Sequence, residues 1–171
     1  MKAPSISRRM ILPAIVIAVL LLSLPGSIHR FLETGDVYLF SARFFDDMLA
    51  RLAGPGRLRF IFQPLVAITL GIRHGVKDAH RNIPPFLWAL AFHGSHRTVL
   101  LKDAAFAVSN IVCLAILLDV ISQLLIFKQV NPGAALILGP VLISLPYGSA
   151  RGLANRVVRS RSGNFPMTKV G

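Results

Sequence analysis

The chain has 171 residues, 54% of them hydrophobic, with a mean hydropathy of +0.64 and only 15% charged residues. A soluble domain carries about 25% charged residues, and here the apolar residues lie in blocks rather than in an alternation that one core could hide, so a bilayer is the expected solvent. The formal net charge of +12 comes from Lys and Arg flanking those blocks, which points to anionic lipid headgroups and away from nucleic acid as the charged partner.

In chain order, a basic start, MKAPSISRR, precedes MILPAIVIAVLLLSLPGSI. Pro25 and Gly26 crowd the only candidate cleavage site, near Ser27, so residues 10–28 are predicted to be an uncleaved first span. Over 36–53, Val37, Phe40, Phe44, Met48 and Leu52 recur at helical spacing, with Arg43, Asp46, Asp47 and Arg51 between them. That is the pattern of an amphipathic helix on the membrane surface, ended by Gly54-Pro55-Gly56. FIFQPLVAITLGI, residues 60–72, is bracketed by Arg59 and Arg73. Thirteen residues reach only about 20 Å as a helix, so this second span needs snorkelling arginines or a thinned bilayer. PPFLWALAF marks a short interfacial helix over 84–93, started by Pro84 and Pro85, with Trp88 at headgroup level. Residues 104–127 are the clearest span, and 133–150 a last one, interrupted by Pro140 and Pro146. A basic tail follows over 151–171, and the whole is read as one all-α membrane domain, 1–171.

Charge sets the orientation. With the N-terminus inside, the inner segments hold 3, 5 and 5 Lys or Arg and the outer ones 5 and 1. The outer five share their loop with Glu33, Asp36, Asp46 and Asp47. Four spans with both termini in the cytoplasm are therefore predicted.

Asp119 is the one acid inside the clearest span, and an ionisable group at such a depth is a candidate functional site. Gln123 lies one turn on, on the same small and polar face. Counting 1.5 Å per residue from the span ends places Thr69, Pro140 and Ser144 near its depth. Gln63 and Arg59 lie shallower but within reach of long side chains. The Leu136 carbonyl, left without its donor by Pro140, is a further expected acceptor. A lone carboxylate in hydrocarbon is costly, so Asp119 is expected to be neutral or paired. A structural helix contact is the leading reading, a proton or cation relay the second.

Two other groups stand out. His74, Asp78, His93 and His96 fall in one segment; His74 and Asp78 are four apart and His93 and His96 three, a spacing that makes them weak metal candidates matching no specific motif. Arg73, Lys77 and Arg81 form a stripe that joins Arg151, Arg156 and Arg159 in a basic cytoplasmic surface suited to anionic lipid. Gly71-x-x-x-Gly75 and Gly148-x-x-x-Gly152 are weak as dimerisation motifs because charged residues lie between or beside the glycines. Cys113, the sole cysteine, is a small core hydrophobe.

FIFQPLVAITLGIRHGVKDA, PPFLWALAF and LPYGSARGLANR resemble segments of small bacterial inner-membrane proteins of no assigned activity. The likeness covers about Phe60 to Arg156 and implies a bacterial cytoplasmic-membrane setting, without a catalytic residue or cofactor. The expected function is non-enzymatic: a small multi-pass component, binding no cofactor, that packs with lipid, with another membrane protein or with itself. A small transporter using Asp119, and a membrane enzyme or metal protein using the histidines, are the alternatives.

Overall fold

The computed structural model describes residues 8–35, 38–39, 41–92 and 94–162, with residues 8, 9 and 94–96 described by their backbone alone. Among the described residues it is all-helical: α1 (Arg8–Thr34), α2 (Ala42–Ala53), α3 (Arg59–His80), α4 (Phe86–Phe92), α5 (Gly94–Phe127) and α6 (Pro132–Arg161). Among the described residues three helices are long and apolar enough to cross a membrane: α1 from Met10, α5 from Arg97, and α6. Only 6% of the apolar window of α1 is buried by the protein itself, so most of its side chains need an apolar surrounding from elsewhere.

The helix ends follow local chemistry, and several differ from the sequence reading. The first helix runs through Pro25 to Thr34 and stops at Gly35, whose φ of +68° suits glycine. Helix α2 begins at Ala42, not residue 36, because Ser41 is its N-cap and its Oγ accepts from the Phe44 amide at 3.2 Å. Asp36, Val37 and Phe40 lie outside the described residues.

Helix α3 has 22 residues, eight beyond Ile72 at its C-terminal end. No breaker intervenes until Asn82, which takes φ +55° while the Asn82 and Ile83 amides donate to the carbonyls of Ala79 and Asp78. That pairing is a Schellman stop with asparagine in the left-handed position. α4 spans seven residues after the Pro84-Pro85 pair, and His93 lies outside the described residues.

α5 starts at Gly94, ten residues before the expected span. α6 starts with Pro132 in the first helical position and Asn131 before it. It continues through Pro140, Pro146 and the first eleven residues of the expected tail, with Leu153, Ala154, Val157 and Val158 keeping a helical pattern.

By contacts the chain divides into two compact units, one of residues 1–63 and 109–143, the other of 64–108 and 144–171. In the first, Val16 of α1 packs with Ile116, Val120 and Ala135, with half-buried Val112, Cys113 and Leu117 around them. Gly139 lets α6 touch α5, since a Cβ there would stand 2.8 Å from Ile116 Cγ1. In the second unit, Gly71 and Gly75 let α3 cross α6. A Cβ on Gly71 would lie 2.5 Å from the Tyr147 carbonyl oxygen, and one on Gly75 would collide with the Arg151 carbonyl oxygen and lie 2.9 Å from Ala154 Cβ. This small-residue motif thus serves a helix crossing inside the chain.

Candidate functional site

The first unit contains a buried ion pair. Asp119, 1% exposed, accepts from Arg59 Nη2 on Oδ1 at 2.5 Å and from Gln123 Nε2 on Oδ2 at 2.7 Å. Gln123, one turn on along α5, in turn accepts on Oε1 from the Asn131 amide at 2.7 Å. Asp119 is thereby tied both to α3 and to the turn between α5 and α6. The turn at Gly54–Gly56 delivers Arg59 to this place. Gly56 has φ +90°, a Cβ on it would stand 2.6 Å from Ser122 Oγ, and its carbonyl accepts from the Arg59 amide. The Arg59 guanidinium also lies 4.7 Å from the centre of the Phe60 ring.

Of the residues assigned to this contact from depth alone, Gln63 is buried beside the pair and lines the same small cavity. Thr69 and Ser144 are exposed, and Thr69 Oγ1 donates to the Leu65 carbonyl within α3. The Leu136 carbonyl is not the acceptor for Asp119, whose two oxygens are engaged by Arg59 and Gln123. Depth along a helix does not fix which way a side chain faces, and that is why these assignments fail.

A second buried cation in this unit has no sequence signal. Its helical spacing puts Arg51 on the polar face of an amphipathic helix, yet it is 1% exposed. Its Nη2 donates to the Tyr38 hydroxyl at 3.4 Å, and the guanidinium lies 5.6 Å from the centre of the Phe127 ring. The Tyr38 hydroxyl donates to Asp47 Oδ2 at 2.6 Å. Burial first, and then this bond to a carboxylate, push the Tyr38 hydroxyl well above its usual range. Exposed Phe45, Leu49 and Leu52 occupy the outer side of α2, so the helix presents apolar side chains outward and a cation inward. A cavity of about 510 Å³ is lined in part by Ser27, Arg30, Tyr38, Arg43 and Asn131. Arg30 is a clamp there, with Nε donating to the Gly26 carbonyl, Nη2 to the Val130 carbonyl and Nη1 to Gln129.

The second unit has its own buried pair. Arg151 Nε donates to Asp78 Oδ2 at 2.6 Å, and Nη1 to the Tyr147 hydroxyl at 3.1 Å, with the guanidinium 4.7 Å from the Phe86 ring centre. His74 Nδ1 and the Tyr147 hydroxyl are 2.8 Å apart.

This arrangement corrects two assignments. Arg151 is 4% exposed and neutralised by Asp78, so it is not part of a lipid-facing basic surface. His74 and Asp78 are engaged with Tyr147 and Arg151, and among the described residues no three His, Cys, Asp or Glu gather around one point that could hold a metal. His93 and the His96 side chain lie outside the description. Arg73, Lys77, Arg81 and Arg156 are exposed, while Arg159 is half-buried with Nη1 3.5 Å from the Ile83 carbonyl.

Chemically, each centre pairs a buried carboxylate with a buried guanidinium: Gln123 Nε2 gives Asp119 a second donor, and the Tyr147 hydroxyl accepts from Arg151 beside Asp78. No protein-family pattern matches this sequence, and no curated protein or solved structure is similar to it.

Proposed function

We propose that this chain is a four-span integral protein of a bacterial cytoplasmic membrane, with both termini in the cytoplasm and a non-enzymatic role. It packs with lipid and with another membrane protein or a second copy of itself, and Asp119 is an internal helix contact. One observation carries this reading: both oxygens of Asp119 are occupied by side-chain donors fixed on helices, Arg59 and Gln123. A relay carboxylate has to exchange partners, whereas this one is neutralised and held.

Three further features support it. The apolar windows of α1, α5 and α6 suit a bilayer. As the fourth span, α3 has 22 residues, about 33 Å at 1.5 Å each, and Ile61, Phe62, Leu65, Val66 and Ile68 are exposed along it. Arg73, Lys77, Arg81 and Arg156 are exposed and flank apolar segments, as cations facing anionic headgroups do.

Two experiments test the proposal. A topology reporter at Arg81 or after Arg161 should report cytoplasm and one at Gln129 the opposite side; a cytoplasmic signal at Gln129 contradicts the four-span arrangement. Asp119→Asn should impair folding in the membrane while leaving ion flux through proteoliposomes at the background of empty vesicles. Normal folding together with the loss of a measurable wild-type flux would instead make Asp119 a transport group.

A further inference from the structure

The cavity of about 510 Å³ in the first unit lies where α1 ends and where α2 and α6 begin. Pockets that hold small molecules measure about 300–1,000 Å³, so this space takes a group larger than a bare ion. Arg30 and Arg43 line it, and none of the described lining residues is acidic. Neither arginine is in an ion pair among the described residues. Arg30 is held by the Gly26 and Val130 carbonyls and by Gln129. All three are neutral, so its charge is fixed in place without a counter-charge. The Arg43 side chain is exposed.

The backbone adds donors to these cations. In α2 the first amides bonded to the helix start are those of Phe44 and Phe45, to the Ser41 carbonyl; in α6 they are those of Ala134 and Ala135, to the Asn131 carbonyl. The amides of Ala42, Arg43 and Gly133 come before them and have no intrahelical acceptor. All three residues line the cavity, and Gly133, having no side chain, does so through its backbone. Helix starts also carry partial positive charge. Two uncompensated guanidinium groups and free N–H groups around one space select an anion with several oxygens. The surroundings narrow the source. Ile28, Phe31 and Leu32 beside Arg30 are exposed, as are Phe45 and Leu49 on α2. A free anion leaves these side chains uncovered, whereas a phospholipid brings a phosphate for the arginines and acyl chains for the apolar side chains.

We propose that this cavity binds the phosphate of an outer-leaflet phospholipid whose headgroup carries no positive charge. The site rests on the reading of α1 as a span with its N-terminus in the cytoplasm, which puts the cavity at the outer surface. A cationic headgroup is disfavoured because it meets two arginines and no described carboxylate.

The test is a titration of the full isotope-labelled chain in nonionic detergent with dihexanoyl phosphatidylglycerol, read by NMR at the backbone amides of Ala42, Arg43 and Gly133. Saturable shifts at all three are expected. Dihexanoyl phosphatidylcholine should bind about fivefold more weakly, and sodium phosphate at the same concentration should shift none of them. Absence of saturable shifts, equal affinity for the two lipids, or an equal response to sodium phosphate overturns the proposal. Arg43→Gln changes an exposed side chain and should weaken phosphatidylglycerol binding about five- to tenfold; undiminished binding overturns the site. Arg81→Gln removes an exposed arginine outside the cavity and should leave these shifts unchanged. An equal loss there would mean general attraction to positive charge and would also overturn it. The topology reporter at Gln129 separates the two readings: failed binding with a non-cytoplasmic signal removes the lipid site alone, while a cytoplasmic signal removes the span arrangement on which it rests.

Discussion

The two units solve one problem, a buried arginine paired with a buried aspartate, with different surroundings. In the second unit Arg151 has three kinds of partner: the Asp78 carboxylate, the Tyr147 hydroxyl and the face of Phe86. In the first, Arg59 has the Asp119 carboxylate and the Phe60 ring, and its Nε meets no acceptor among the described residues. Desolvating both charges costs several kcal/mol per ion, and the pair offsets this only when its other hydrogen bonds are also made. The lesson is that a shared salt bridge does not mean a shared margin. Arg151 retains a hydrogen-bond acceptor, the Tyr147 hydroxyl, when its aspartate is removed, whereas Arg59 retains only the Phe60 ring.

The largest expected effect follows from that difference. Removing one partner of a buried pair costs about 3–5 kcal/mol. Asp119→Leu should therefore lower the unfolding midpoint in detergent strongly, and by more than Asp78→Leu does. Equal losses would erase the contrast between the units.

Next comes the crossing of α3 and α6. Overpacking a close contact typically costs about 1–3 kcal/mol, so Gly71→Val and Gly75→Val should each destabilise the chain. Gly148→Ala should change little, because the nearest atoms to a Cβ there, those of Phe86 and Leu87, lie at 3.5 Å or beyond. A smaller loss, about 1 kcal/mol for a neutral hydrogen-bonding group, is expected for Tyr147→Phe, which deprives both His74 and Arg151 of a partner. Urea titration of each variant would measure these differences.

The smallest effect is in the pH profile of the first unit. Tyr38 there is held above its ordinary value. Its contribution to stability is present below about pH 10 and is lost as pH rises through the raised value. Tyr38→Phe should flatten the alkaline side of a stability–pH curve, and an unchanged alkaline slope would contradict these surroundings.

What could be read from the sequence differs between the units for a physical reason. Asp119 stands out because it is the single acid in a long apolar run, where one charge is conspicuous. Asp78 lies among Arg73, Lys77 and Arg81, where pairing, topology and metal binding all predict the same composition. Its partner Arg151, 73 positions away, reads as the first residue of a basic tail.

Helix existence was legible from apolar runs. Helix length was not, since α3, α5 and α6 continue through polar residues that carry no breaker. Arg51 was invisible because amphipathic spacing says which residues share a face but not which face turns inward. The glycines of α3 were visible as a motif, and their use within the chain depends on which helix lies opposite, a fact no local pattern contains.

The central claim is that Asp119 is held by Arg59 as a helix contact. A double-substitution cycle in lipid nanodiscs tests it most directly, with Asp119→Leu, Arg59→Met and the two together compared by unfolding midpoint. Each single change should be strongly destabilising, and the double change should recover most of the loss, because neither charge is then left buried alone. Losses that simply add, with no recovery in the double variant, would contradict the account.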